Sequence, residues 1–382
     1  MDSKGKNDRS HSSESKPVTY SRYLQLENLL NLQGGLDGDD NNLGEDELHF
    51  IIVHQVFELW FKQVLRELYL ARDKMVVQKV DEEVIPFVVH HLKRVNTIME
   101  SAIKHFDVVE TLLPRDFLVF RARLGTASGF QSFQMREIEI LLGLSTDERK
   151  AHGHPDPLPY LLKSTEASSP GIKVRQRMEN AGSGLTFLET IHRWLFRTPV
   201  QGSRPGDVND EEVVREFVES YTTSIQKYNE PQIRQILTDG GDEAAVRERF
   251  NNVYKQAEEF LFALDCPQEK MQTVSRIRAG LLFIESYREL PLLSWPRLLL
   301  DSVVQLEENF INFRFHHARM VERVIGKRVG TGGSSGVDYL DQTTKYRIFK
   351  ELWAVRTLLL PKDLLPPIQN EKVYGFLAYE RK

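Results

Sequence analysis

One cysteine, Cys266, stands in 382 residues. A single thiol cannot close an intrachain disulfide, and it excludes zinc or iron–sulfur centres built from several cysteines. Such a chain suits a reducing compartment, so a cytoplasmic location is expected. No run of 18 apolar residues occurs and the N-terminus is polar, so neither a membrane span nor a secretory leader is expected. A basic excess is missing as well. Net charge is −5 with pI near 6.2, which argues against a nucleic-acid partner or an anionic membrane surface. Several catalytic signatures are absent. Glu-x-x-His occurs once, at Glu189–His192, where a di-iron bundle needs two. There is no His-Glu-x-x-His, no Cys-x-x-Cys-His for covalent haem and no solenoid repeat.

What is present is helical periodicity, without a convincing alternating strand. Residues 1–17 are mostly Ser, Lys, Asp and Asn with little to bury, and read as a disordered tail. Tyr20–Leu32 carries a short helical pattern, and the Gly/Asp/Asn-rich stretch Gly34–Gly44 a loop. A long helix is predicted from Glu47 to about Val76, broadly apolar through Phe50, Val53, Phe57, Trp60, Phe61, Val64 and Leu68. Further helices are predicted at about 82–110, 114–124, 128–143, 182–197, 210–229, 242–264, 272–288 and 339–360. Pro114 suits a start and Pro361 a stop. The stretches 153–173 and 199–207 read as loops around a helical insertion covering about 145–290. The expected class is all-α, a helical bundle in which residues 18–382 form one domain.

The segment Trp295–Gly326 is the most informative. Val303, Leu306, Phe310, Phe313, His317, Met320 and Val324 alternate spacings of three and four, which places them on one helix seam. Its neighbour His316 shares a stripe with Asn309, Asn312, Arg319 and Arg323, which reads as solvated. Ser294 is the expected N-cap of this helix and Gly326 its C-cap. An inward imidazole needs partners for its nitrogens. A core histidine bonded to a backbone carbonyl and an axial ligand to haem or another metal both satisfy the pattern. His54 repeats the situation, four residues after Phe50 and three before Phe57. Arg121 falls among Phe117, Phe120 and Leu124. A guanidinium there either snorkels to water or forks a substrate carboxylate. The run Gly330–Gly336 follows the long helix. It lacks the Lys-Ser/Thr pair and the preceding strand of a P-loop. It is either a flexible connector or a mobile loop whose backbone N–H groups and Thr331 hydroxyl close over a polar molecule.

With these residues in hand, the chain resembles the tryptophan 2,3-dioxygenase family. The resemblance rests on Tyr20–Leu26, Phe50–Gln63, Asp116–Arg121, Ala127–Ser132, Arg314–Val321 and Gly330–Gly336, in that order. It is much weaker from about 145 to 290. It implies an all-helical haem dioxygenase fold, a homotetramer with one haem b per subunit, and opening of the indole ring of L-tryptophan by O₂ to N-formyl-L-kynurenine. It implies His317 as the proximal iron ligand and His54 as the hydrogen-bond partner of the indole N–H. It pairs Arg121 with the substrate carboxylate and Thr331 with the amino-acid head. Phe50, Phe117, Leu124 and Ser128 would line the pocket, with Ser128 and Gly129 also beside the cofactor. Tyr20 and Tyr23 would come from a neighbouring subunit. The alternative is a haem-binding sensor of the same fold without turnover. Departures from the pattern of animal members are Leu48-His49, Val53, Val56-Phe57 and His316.

Overall fold

The computed structural model describes residues 18–81, 83–153, 169–330 and 335–374. Among them the regular structure is helical, and the one extended pairing is an isolated bridge between Val200 and Ser203. The chain divides into two compact units, residues 1–55 and 56–382.

In the first unit Thr19 caps α1 (Tyr20–Leu24) by accepting from the Arg22 N–H. Gln25, at φ 52°, separates it from α2 (Leu26–Leu29). The Gln55 side chain donates to the Leu32 carbonyl (2.8 Å) and accepts from Gln33 (2.8 Å), which folds the loop back on α3 (Glu45–Met75). Three acids in the first turn of α3 and Arg72 and Lys74 in its last turn suit the helix dipole.

In the second unit the most extensive helix pairing is between α4 (Val84–Val109) and a long helix near the C-terminal end. Along the chain come α5 (Pro114–Arg121), α6 (Phe133–Leu142), α7 (Thr146–Ala151) and α8 (Ser169–Ser183). Then follow α9 (Phe187–Arg197), α10 (Asp210–Thr238), α11 (Glu243–Leu261) and α12 (Gln268–Ser286). The long helix is α13 (Ser294–Ile325), followed by α14 (Val337–Thr343), α15 (Lys350–Arg356) and α16 (Glu371–Tyr374). Pro114 does open α5, and Gly326, at φ 60°, closes α13. Ser294 is not a cap: the 3₁₀ turn Pro291–Leu293 runs straight into the helix, so Ser294 is already helical and Leu293 holds the cap position.

α4 and α13 run side by side in the same direction. Asn96 donates to the Ser302 carbonyl (3.0 Å) and accepts from Asn309 (3.3 Å), while Phe106 meets Phe313 ten residues further on. Asn309 therefore does not belong to a solvated stripe. It is 2% exposed, because Asn96 satisfies its amide inside the helix pair. Asn312 and Arg323 are exposed as expected.

The helix expected over 339–360 is two short ones. The Thr343 and Thr344 hydroxyls turn back to the Leu340 and Asp341 carbonyls, which competes with helix continuation. The buried Glu307 carboxylate then takes the backbone N–H groups of Ile348 and Phe349 and the Trp353 indole N–H, restarting the chain as α15. The 182–197 segment also splits, into the end of α8 and all of α9. Thr186 and Glu189 form a capping box at the start of α9, so Glu189 serves a helix terminus, and His192 pairs with Glu351 at 3.5 Å.

Candidate functional site

The seam of α13 is buried as its spacing requires: Val303, Leu306, Phe310, Phe313, Met320 and Val324 are all under 9% exposed. His317 is half-buried on this seam. Its ring lies nearly parallel to Phe106 of α4 (centroids 5.9 Å, 15°) and tilted against Phe313 (6.4 Å, 42°). Phe57 and Phe61 complete the aromatic cluster through Phe106 and Phe313, and His105 lies edge-on to Phe57 at 4.9 Å. His316 is half-buried too, but its ring neighbour is the exposed Phe315. The ring neighbours, more than the burial, separate the two histidines.

α5 packs on α13. Phe117 and Phe120 are buried edge-to-face at 5.2 Å. The Arg121 guanidinium does not simply dissolve in water. Its Nη2 donates to the Val329 carbonyl at 2.6 Å, one residue before the glycine-rich run begins. Leu124 sits half-buried in the 3₁₀ turn Ala122–Leu124. Ser128 is half-buried, and its backbone N–H donates to the Gln131 side chain. At Gly129 a Cβ would meet no heavy atom within 4 Å, so space is open beside this turn. Thr331 lies outside the described residues.

In the first unit the His54 Nδ1 contacts the Phe50 carbonyl at 2.7 Å, with the two rings 4.0 Å apart. A carbonyl only accepts, so Nδ1 carries the proton and a neutral His54 presents Nε2 as an acceptor. Tyr20 and Tyr23 are 76% and 77% exposed on α1.

Two groups went unseen in the sequence. Phe106 is one apolar position among many on α4, and nothing in its spacing marks it as the ring that meets His317. A buried charge cluster is the other. Glu139 binds Arg136 (2.8 Å), Arg149 (2.5 Å) and Arg314 (3.2 Å), and Tyr346 lies under the Arg149 and Arg314 guanidiniums. Burial alone would raise the Glu139 carboxyl; the three arginines outweigh it and lower it to about 2. The sequence signal was faint: Arg136 and Glu139 at i,i+3, and Arg314 one turn before His317.

Could these residues hold a metal? Among the described residues no three His, Cys, Asp or Glu side chains gather as ligands for a bare ion. A porphyrin brings four nitrogens of its own and asks the protein for one imidazole in apolar surroundings. His317, on a rigid helix among Phe rings, fits that demand.

These features define a class: an all-helical protein that offers an inward imidazole on its long helix among aromatic rings and a guanidinium at the foot of a glycine-rich run. The sequence model of the tryptophan 2,3-dioxygenase family matches residues 4–359. A tryptophan 2,3-dioxygenase 2 of Ralstonia nicotianae is 45% identical over 369 residues, covering 94% of this chain and 98% of its own. A tryptophan 2,3-dioxygenase of Sorangium cellulosum is 44% identical, covering 94% and 88%. A tryptophan 2,3-dioxygenase-like protein of Xanthomonas campestris is 45% identical over 271 residues, 69% of this chain and 97% of its own. The chain belongs to the tryptophan 2,3-dioxygenase family.

Proposed function

We propose that this protein opens the indole ring of L-tryptophan with O₂ to give N-formyl-L-kynurenine, the first step of tryptophan catabolism. The family match over residues 4–359 carries this conclusion. The cofactor is haem b, one per subunit, held by His317 with Ser128 and Gly129 beside it. When bound, it supplies the iron that lets O₂ react with a closed-shell substrate.

The chain's own residues bind and orient. Arg121 pairs with the substrate carboxylate, exchanging its Val329 carbonyl for a charged acceptor, which makes a stronger bond. Thr331 binds the amino-acid head. Phe50, Phe117 and Leu124 give apolar walls to the indole, with Ser128 at the same pocket. His54 accepts from the indole N–H at Nε2, since its Nδ1 proton is committed to the Phe50 carbonyl. The indole N–H is too weak an acid for easy abstraction by imidazole, so His54 positions the ring rather than deprotonating it. A site that holds both charged ends of the amino acid loses much of its orienting energy when offered plain indole.

The assembly is a homotetramer of a cytoplasmic enzyme, in which the segment carrying Tyr20 and Tyr23 packs on a neighbouring subunit. Val18, Tyr20, Tyr23, Leu30, Leu32 and Leu36 are each at least 65% exposed, more apolar surface than a short solvated segment carries without a partner. Deleting residues 1–16 leaves assembly and turnover intact, whereas deleting through Leu26 damages both, read by light scattering on a sizing column. An active monomer from the longer deletion would rule the shared segment out. For the reaction itself, the ferrous protein is given L-tryptophan anaerobically and then O₂, and N-formylkynurenine absorbance is followed. Its growth over many turnovers is expected. O₂ binding without product would point instead to a sensor.

A further inference from the structure

We propose that Phe106 is the positioning residue of the iron-ligand imidazole, fixing the rotation of the His317 ring about its Cβ–Cγ bond; this rests on His317 being that ligand. The terminal torsion of a histidine is broad, so the imidazole takes its orientation from the groups that bond it or pack against its faces. Phe106 comes from α4, is 2% exposed, and lies offset-stacked on His317 at 5.9 Å and 15°. Turning the imidazole would give up its near-parallel packing on the Phe106 face. Phe313 packs less closely on it, its ring tilted by 42° at 6.4 Å.

The stop is itself held. Phe106 packs on Phe57 and Phe313, both at 5.0 Å, and Phe313 is wedged edge-on between Phe57 and Phe61, each at 5.8 Å. Ten residues upstream, the Asn96 bonds to Ser302 and Asn309 fix the register of α4 on α13. A phenyl ring has no strong donor or acceptor, so Phe106 acts through shape. It sets the ring plane before the metal bond forms, and that bond need not reorganise the side chain.

The test uses the haem-loaded full chain and the iron–histidine stretching band of the ferrous protein in resonance Raman spectra. Haem stoichiometry and thermal unfolding are measured alongside. Phe106→Met keeps most of the volume and removes the ring face that packs on the imidazole. The band should broaden or split at full haem stoichiometry. Phe106→Tyr, which keeps the ring, should return it to the wild-type position, and Phe313→Met should move it less. If Phe106→Met does not fold, Phe106→Leu takes its place with the same expectation. A band unchanged in position and width in the folded ringless variant overturns the proposal. Failure of the ligand assignment reads differently: His317→Gly would then keep the band, whereas a true ligand loses it and regains it with added imidazole.

Discussion

Two pairs of long helices in the second unit behave in opposite ways. In α4 and α13 the facing seams are buried along their length, from Ile85 to Val109 and from Leu299 to Val324. In the α10–α11 hairpin burial stops at Ile225 and resumes at Ala257, and no described side chain between them is buried. Both pairs have helical periodicity, and both are long. The first is held by tertiary packing, and the candidate iron ligand sits inside it. The outer half of the second is held by its own turn chemistry, with Asp242 capping α11, and by exposed ion pairs such as Arg234–Glu230 and Arg247–Glu243. Helical pattern alone does not say where a site can be built; a site needs side chains fixed from more than one element.

The sharpest way to strain this contrast is the charge cluster that clamps α6 and α7 to α13. Glu139→Ala leaves Arg136, Arg149 and Arg314 buried against one another and should destabilise the fold by about 3–5 kcal/mol, read by denaturant melts. Acid should act on the same group. Its folded carboxyl lies at about 2, below the ordinary 4.5, so its contribution is whole above about pH 4.5 and drains away as pH falls toward 2. A melt that is flat between pH 5 and pH 3 would remove Glu139 as a clamp. Next in size, Arg121→Ala should raise KM for L-tryptophan sharply, since truncating one partner of a buried charge pair costs about 2–5 kcal/mol. Haem content should not change, and an unchanged KM would mean that Arg121 serves only the Val329 carbonyl. The smallest effect belongs to the hairpin. Arg247→Ala breaks an exposed i,i+4 pair and should shift stability by less than about 0.5 kcal/mol. A larger loss would show that the hairpin's outer half is packed after all.

Much of this was legible in the residues. The three-and-four spacing of α13 put six buried positions and His317 on one side, and Pro114 and Gly326 marked helix ends correctly. Asn309 was misread because an amide in a polar stripe looks solvated until its partner, Asn96, arrives from 213 residues away. The break after α14 was invisible for the same reason: it depends on Glu307, about forty residues upstream, reaching the backbone of Ile348 and Phe349. Long-range polar satisfaction leaves no periodic trace. The Arg121 contact to Val329 belongs to this class as well, and the Phe106 stack on His317, though not polar, is just as long-range. Family motifs supplied the roles proposed for His54, Arg121 and Thr331, which spacing alone could not.

The central claim is that the buried seam, and not its neighbour, presents the iron ligand. Haem stoichiometry of His317→Ala and His316→Ala, each expressed with excess haem and measured as the pyridine haemochrome against protein concentration, tests it most directly. His317→Ala should lose nearly all stably bound haem while His316→Ala stays close to one per chain; haem lost from His316→Ala and kept by His317→Ala would contradict the account.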